Sequence, residues 1–240
     1  MTTVKWISAI GRRTSMRVLW MMLAGCLPAV LPATGRAAQD GAPRVEEIGN
    51  RVYQVDQVRI DLNRREVTVP GVINDVGTLE FLANTRGGFK AYESALELDT
   101  DAISFNLGMV LVGLDNTNAV LPRQHFDPNP PEGDPVRLWV EWDDDSGTHR
   151  IRGEELIYHA GEERTFPETH WVYTGSVFLP DGSYLAESDG VLIGFAHTPA
   201  SIIENPLPDG VGNYGAWVLN RTTDLEPGMS VRLIVEVVGQ

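Results

Sequence analysis

The chain has 240 residues, of which 33 are acidic and 19 are basic, and its formal net charge is -14 at pH 7. Residues 39–240 carry 14 of the basic and all 33 of the acidic residues, a net charge of -19, which argues against binding of nucleic acid or anionic lipid. Cys26 is the single cysteine, so a domain built from the rest of the chain has no disulfide, no thiolate metal site and no cysteine nucleophile.

The N-terminal segment has the layout of an export signal. Four basic residues, from Lys5 to Arg17, precede an apolar run from Val18 to Leu31, and small residues follow between Ala33 and Ala38. The apolar run is shorter than the roughly 20 residues that a membrane-spanning helix needs. We therefore predict that residues 1–38 are a signal peptide and that the mature protein is exported to the periplasm or the cell envelope.

Two interpretations of Cys26 remain open. Residues 23–26, Leu-Ala-Gly-Cys, resemble the lipobox of bacterial lipoproteins, in which the cysteine is lipidated and becomes the new N-terminus. The alternative is ordinary cleavage among the small residues 33–38, which discards Cys26. The short apolar run before Cys26 and the apolar residues after it favour ordinary cleavage, and a lipid anchor would be the protein's one contact with a membrane.

Residues 39–50 are polar and predict a flexible lead-in, and residues 51–240 predict a single domain. Apolar and polar residues alternate on both sides of a polar turn at Asn63-Arg64, which predicts a β-hairpin. Further strands are predicted over residues 77–83 and 91–99. Apolar residues then recur at helical spacing, which predicts one helix near 102–114 with Asp101 as its N-cap.

A long, proline-rich loop is predicted from residue 116 to residue 135. The rest of the chain returns to short alternating runs bounded by Gly, Pro, Asp or Asn. These runs predict strands over residues 136–142, 148–159, 170–179, 183–188, 190–197, 214–220 and 230–238. About ten short strands and one helix predict a mainly β fold, either a β-sandwich or a partly open barrel.

Two segments carry the residue types best suited to ligand binding. Lys90 is the single lysine of residues 39–240, and on a strand it would share a face with Tyr92 and Ser94. The second segment combines aromatic and hydroxyl side chains after residue 170. If both segments lie in one sheet, they form a shared ligand-binding surface of seven residues. These are Lys90, Tyr92, Glu93, Ser94, Trp171, Tyr173 and Ser176.

A metal site is the alternative hypothesis. His125 and Asp127 on the long loop would supply two ligands, and His170 would supply a third. The five histidines show no H-x-x-x-H or H-E-x-x-H spacing, so no established metal motif supports this set. A serine hydrolase is disfavoured, because His170 and Ser176 would be about 20 Å apart on an extended strand. No cofactor is predicted.

The order of the segments from about residue 56 to residue 206 resembles the YdjY-domain family of exported bacterial proteins. That family has Lys-x-x-Glu-Ser after a hairpin, a helix that ends near a glycine, and a downstream Trp-x-aromatic-x-Gly-Ser motif. Here these positions are Lys90, Glu93 and Ser94, then Gly113, then Trp171, Tyr173, Gly175 and Ser176. Relatives often have histidine where this chain has Tyr92.

The resemblance implies one exported domain and assigns no catalytic activity. Some relatives are associated with iron–sulfur ferredoxin modules, which implies a redox-associated role, although this chain has no cysteine cluster to hold iron. We expect an exported, non-catalytic domain that binds a small ligand or an envelope protein. A metal-binding protein or metal-dependent enzyme, and a structural envelope component, are the alternatives.

Overall fold

The computed structural model describes residues 43–239. The predicted signal peptide at 1–38 and both interpretations of Cys26 therefore lie outside the described residues. Within residues 43–239, no helix combines the length and the apolar character needed to cross a bilayer.

Fifteen strands and two α-helices form within this part of the chain. The strands are β1 (Val45–Gly49), β2 (Val52–Val55), β3 (Val58–Asp61), β4 (Glu66–Ile73), β5 (Phe81–Thr85), β6 (Ser94–Leu98), β7 (Asp134–Asp144), β8 (Gly147–Arg152), β9 (Ile157–His159), β10 (Arg164–Thr165), β11 (Trp171–Tyr173), β12 (Val191–Gly194), β13 (Ile203–Glu204), β14 (Trp217–Leu219) and β15 (Ser230–Val237). The helices are α1 (Ala102–Leu111) and α2 (Leu185–Asp189), and 3₁₀ turns form at Phe89–Glu93, Gly153–Leu156 and Pro208–Gly210.

Eight strands close into a barrel in the order β4-β15-β7-β11-β13-β12-β5-β6, and the pairing of β6 with β4 completes the ring. The β12–β13 and β5–β6 pairs are parallel, and the other pairs of the ring are antiparallel. The predicted mainly β fold is confirmed, and its architecture is a barrel.

Additional strands extend the barrel sheet. Strands β3, β2 and β1 follow one another outward from β4, β8 pairs with β7, and β10, β9 and β14 form a separate small sheet. The predicted flexible lead-in at 39–50 is wrong in its second half, because Val45–Gly49 is paired with β2. All five residues of β1 are exposed, so backbone hydrogen bonds rather than side-chain burial hold this strand.

The hairpin and the helix form where the sequence predicts them. The Asp61 carboxylate accepts the backbone N–H groups of Asn63 and Arg64 at 3.0 and 3.2 Å, which fixes the turn between β3 and β4. The Asp101 carboxylate accepts the Ser104 N–H at 2.6 Å and caps α1, as predicted. The helix buries Phe105 and Met109 in the main core.

Several predicted strands differ in detail. The predicted strand 148–159 is divided into β8 and β9 by the 3₁₀ turn at Gly153–Leu156, and the strand predicted over 77–83 begins only at Phe81. The predicted strand 183–188 is wrong, because these residues lead into the short helix α2, which ends at Gly190 with a φ of 70°. The predicted strand 91–99 begins only at Ser94, after a 3₁₀ turn. The predicted strand 170–179 ends at Tyr173, because the chain turns through Gly175 and Ser176 with φ values of 77° and 56°.

Candidate functional site

Lys90 and Glu93 form an ion pair within the 3₁₀ turn that precedes β6. Lys90 Nζ lies 2.6 Å from Glu93 Oε1 and 3.3 Å from the Tyr92 hydroxyl. The Ser94 hydroxyl donates to the Lys90 carbonyl at 2.8 Å and closes the turn. The predicted strand through Lys90 and Tyr92 is therefore wrong, because these residues form a 3₁₀ turn, which places Lys90 and Glu93, residues i and i+3, on one side.

Three aromatic rings surround the Lys90 ammonium. Lys90 Nζ is 5.7, 6.0 and 5.6 Å from the ring centroids of Phe81, Phe89 and Tyr92, within the range of cation–π attraction. The Phe89 and Tyr92 rings meet edge to face with centroids 6.1 Å apart. Phe89 is 73% exposed and Tyr92 is 56% exposed. Phe89, Lys90 and Tyr92 are called the aromatic surface below.

The electrostatics of the turn keep Lys90 charged. Partial burial lowers the pKa of the Lys90 amine, but the hydrogen bonds to Glu93 and Tyr92 outweigh it and the net direction is upward. An amine with a raised pKa remains protonated at neutral pH. Lys90 therefore supplies a fixed positive charge and is not an activated nucleophile.

Phe81 connects this turn to a second group of residues on β5, β12 and β13. Phe81, Val191 and Ala200 form a small apolar cluster separate from the main core. Glu204 is the last residue of β13 and follows Ile203, a residue of the main core. Residues 197–201, called the cover loop below, contact both groups, because Ala200 belongs to the apolar cluster and the Thr198 N–H donates to Glu204.

Glu204 is completely buried beneath the cover loop. Its Oε1 accepts the Thr198 N–H at 2.9 Å, and its Oε2 has no hydrogen-bond partner among the described residues. Gly194 is paired with Glu204, and a Cβ at residue 194 would collide with the Glu204 carboxyl and the Ser201 hydroxyl. Burial raises the pKa of Glu204 to about 8, so the carboxyl is protonated at neutral pH.

Side chains anchor the cover loop at its start and its middle. The His197 ring lies between two carbonyl oxygens, with Nδ1 2.8 Å from Asp127 O and Nε2 2.9 Å from Asn205 O. Both partners are acceptors, so which of the two hydrogen bonds the ring donates depends on which of its nitrogens carries a proton. His197 also has a φ of 55°, an unfavourable conformation for a residue with a side chain. The Ser176 hydroxyl donates to the Pro199 carbonyl at 3.1 Å.

A family model described as the YdjY domain matches residues 58–210. The chain belongs to the YdjY domain family. The match runs from β3 to the 3₁₀ turn at Pro208–Gly210, so it includes both the Lys90 turn and the cover loop. No curated protein and no solved structure matches the chain.

Trp171 and Tyr173 are core residues of the YdjY domain, so the predicted seven-residue surface is wrong in these two members. Both are fully buried, and strands β13, β12 and β5 separate β11 from β6. The Trp171 indole N–H donates to Glu154 at 3.0 Å, and the Tyr173 hydroxyl donates to Asn106 at 2.8 Å. Burial raises the pKa of Tyr173 to about 12.

The remaining predicted residues fall into one neighbourhood. Lys90, Tyr92, Glu93 and Ser94 form the turn, and Ser176 joins them indirectly, because it holds the cover loop whose Ala200 packs on Phe81. Glu204 and the cover loop were not predicted as site residues. The available signal was an acidic residue directly after two isoleucines in a short buried strand.

The alternative metal ligands are not assembled. His125 Nε2 lies 3.2 Å from Glu80 Oε2, whereas the Asp127 carboxylate accepts the backbone N–H groups of Arg123 and Asn129. His170 is exposed next to the start of β11. Within residues 43–239, no group of three or more His, Cys, Asp or Glu side chains is arranged to hold a metal ion.

Proposed function

We propose that this YdjY domain is an exported, non-catalytic binding domain that recognises a protein of the cell envelope through the aromatic surface. The observation that carries the proposal is the exposure of Phe89 and Tyr92 beside an ion-paired lysine. Exposed aromatic side chains are enriched among the residues that dominate protein–protein binding energy.

The aromatic surface is held in place before any partner binds. The two exposed rings pack edge to face, and the Lys90 ammonium lies near both of them. The ammonium is in turn fixed by Glu93, which is itself buried. A partner that docks here orders few additional side chains, so less conformational entropy is lost on binding.

The polar groups of the turn and the cover loop support a binding role over a catalytic one. The Ser94 and Ser176 hydroxyls donate to backbone carbonyls, and the Glu93 carboxylate is paired with Lys90. None of these three groups is placed as an activated nucleophile with a neighbouring base. The layout of residues 1–38 supports export, and the net charge of -19 over residues 39–240 favours a partner with a neutral or basic rim.

Partner capture with matched surface variants tests the proposal. The variant Phe89→Ala/Tyr92→Ala removes both exposed rings, and Tyr214→Ala is the control because Tyr214 is 68% exposed on the loop before β14. Each protein carries the same cross-linker and is expressed in cells whose envelope fraction is then analysed by mass spectrometry.

Loss of a binding hot spot worth about 2 kcal/mol lowers affinity by about 30-fold. We expect wild type and Tyr214→Ala to cross-link the same envelope protein and the double variant to lose it. Equal cross-linking by all three proteins would refute the aromatic surface as the contact site.

The proposed export is tested separately by the mass of the mature N-terminus. Ordinary cleavage predicts an N-terminus between residues 34 and 39 in the periplasmic fraction. A diacylglyceryl group on Cys26 in the membrane fraction would replace that prediction with a lipoprotein, and full-length protein in the cytoplasm would contradict export.

A further inference from the structure

The cover loop contacts both the buried carboxyl and the residues that support the aromatic surface. At one end, the Thr198 N–H donates to Glu204 Oε1. At the other end, Ala200 packs against Phe81 and Val191, and the Phe81 ring lies 5.7 Å from Lys90 Nζ. A displacement of the loop therefore changes the packing beneath the Lys90 turn.

We infer that the cover loop is a proton-controlled latch, which stays closed while the Glu204 carboxyl is protonated and opens when that carboxyl ionises, so that the aromatic surface loses its support. The regulatory role of the latch rests on the proposed function, whereas the opening of the loop does not. In this step Glu204 loses its proton to solvent water and no other bond is made or broken.

The geometry around Glu204 explains why ionisation would open the loop. An ionised carboxylate needs hydrogen bonds to both oxygens, but Oε2 makes none among the described residues. The Ser201 hydroxyl and the His197 and Asn205 N–H groups beside the carboxyl favour its ionised form, but burial outweighs them and raises the pKa. Opening the loop admits water to Oε2, but it breaks the hydrogen bond from the Thr198 N–H to Oε1. The left-handed backbone of His197 makes the closed loop less favourable than an unstrained one, which lowers the cost of release.

The residues paired with Glu204 indicate that the pH response of the loop comes from this carboxyl. Gly194 on β12 and Val172 on β11 are the residues paired with it, and neither is ionisable. His197 is the titratable side chain of the cover loop, and it faces the carbonyl oxygens of Asp127 and Asn205.

Hydrogen exchange measured by mass spectrometry tests the latch. Protection of a peptide covering residues 195–203 is measured from pH 6.5 to 9.5 and corrected for the intrinsic exchange rate. The raised pKa of Glu204, about 8, marks the upper end of the pH-dependent range. We expect protection to fall by up to about tenfold per pH unit as the pH rises towards that value, because the closed loop keeps a proton that the open loop releases, and to level off above it. The β15 peptide, residues 230–237, is expected to stay protected throughout.

Two variants separate the latch from a general effect of alkaline pH. In Glu204→Gln the transition is expected to disappear, because glutamine keeps the shape of the protonated carboxyl and cannot ionise. In the matched control Glu80→Gln, which neutralises another buried glutamate, the wild-type transition is expected to remain. A wild-type peptide that stays fully protected to pH 9.5, or a transition that is unchanged in Glu204→Gln, would overturn the latch.

The same proteins distinguish failure of the latch from failure of the proposed function. Cross-linking of the envelope partner is compared at pH 7 and pH 9 for wild type and Glu204→Gln. With a working latch, wild type loses the partner at pH 9 and Glu204→Gln keeps it. Loss of a pH transition with intact cross-linking at pH 7 rejects the latch alone. If the partner is not cross-linked at any pH but the hydrogen-exchange transition is present, the proposed function alone is rejected.

Discussion

Replacing Glu204 with glutamine is predicted to make the protein more stable than wild type at alkaline pH. Burial raises the pKa of Glu204 from its ordinary 4.5 to about 8 in the folded protein. Between these values the folded protein keeps a proton that the unfolded chain releases, so the contribution of Glu204 to stability is full below pH 4.5 and falls as the pH rises to 8. The interval of about 3.5 pH units corresponds to a loss on the order of 5 kcal/mol, an upper bound because opening of the cover loop would relieve part of it.

Urea unfolding of wild type and Glu204→Gln between pH 5 and pH 9 measures this effect. The difference in unfolding free energy between the two proteins isolates Glu204, because other carboxyls titrate equally in both. These include Asp61 and Asp127, whose pKa values are lowered in the folded state. We expect the variant to gain on wild type steadily up to pH 8 and to hold a constant advantage above it. A difference that does not change with pH would show that Glu204 is solvated or paired in the folded protein, which would refute the reasoning.

Two further predictions concern packing around the site and in the core. Gly194→Ala is expected to lower the free energy of unfolding by about 1 to 3 kcal/mol, because its Cβ would collide with the buried carboxyl and hydroxyl oxygens beside it. Gly77→Ala, which has open space around its Cβ, is the control and should have little effect in the same chemical denaturation assay. Trp171→Phe should cost about 1 to 3 kcal/mol, because it removes the indole hydrogen bond to Glu154 and leaves a gap at a fully buried position. Trp139→Phe removes an equivalent indole bond at a partly buried position, and an equal loss in both variants would contradict this explanation.

Local patterns predicted the elements whose stability is local. Alternation around Asn63-Arg64 predicted the β3–β4 hairpin, and Asp101 at helical spacing from the apolar residues predicted α1. The closure of the barrel depends on the pairing of β4 with β6, for which the alternation within each strand holds no information. The short helix α2 depends on contacts with the rest of the domain. Its local sequence therefore did not indicate a helix, and a strand was predicted over residues 183–188.

Only part of the candidate site could be predicted, because local patterns do not show the contacts that the fold creates. The rarity of lysine singled out Lys90 and its neighbours, but the ion pair with Glu93 required a 3₁₀ turn that strand alternation does not show. Trp171 and Tyr173 are equally suited by type to a binding surface and to a core with polar partners. Burial of these two side chains requires a hydrogen-bond partner for each, Glu154 for Trp171 and Asn106 for Tyr173. Whether those partners lie close enough is decided by the fold.

The two buried carboxyls of Glu93 and Glu204 are stabilised in different ways. This difference affects how the proposed binding face responds to pH. Glu93 forms an ion pair with Lys90, and the two opposite charges of the pair cancel. Glu204 has no such cation, and burial keeps it neutral by retaining a proton. The Glu93–Lys90 pair is neutral as a whole and the protonated Glu204 carries no charge, so this part of the domain gains one negative charge when Glu204 ionises. A partner selected to fit the neutral face would then meet an extra acidic group beneath loosened aromatic rings, and both changes oppose binding.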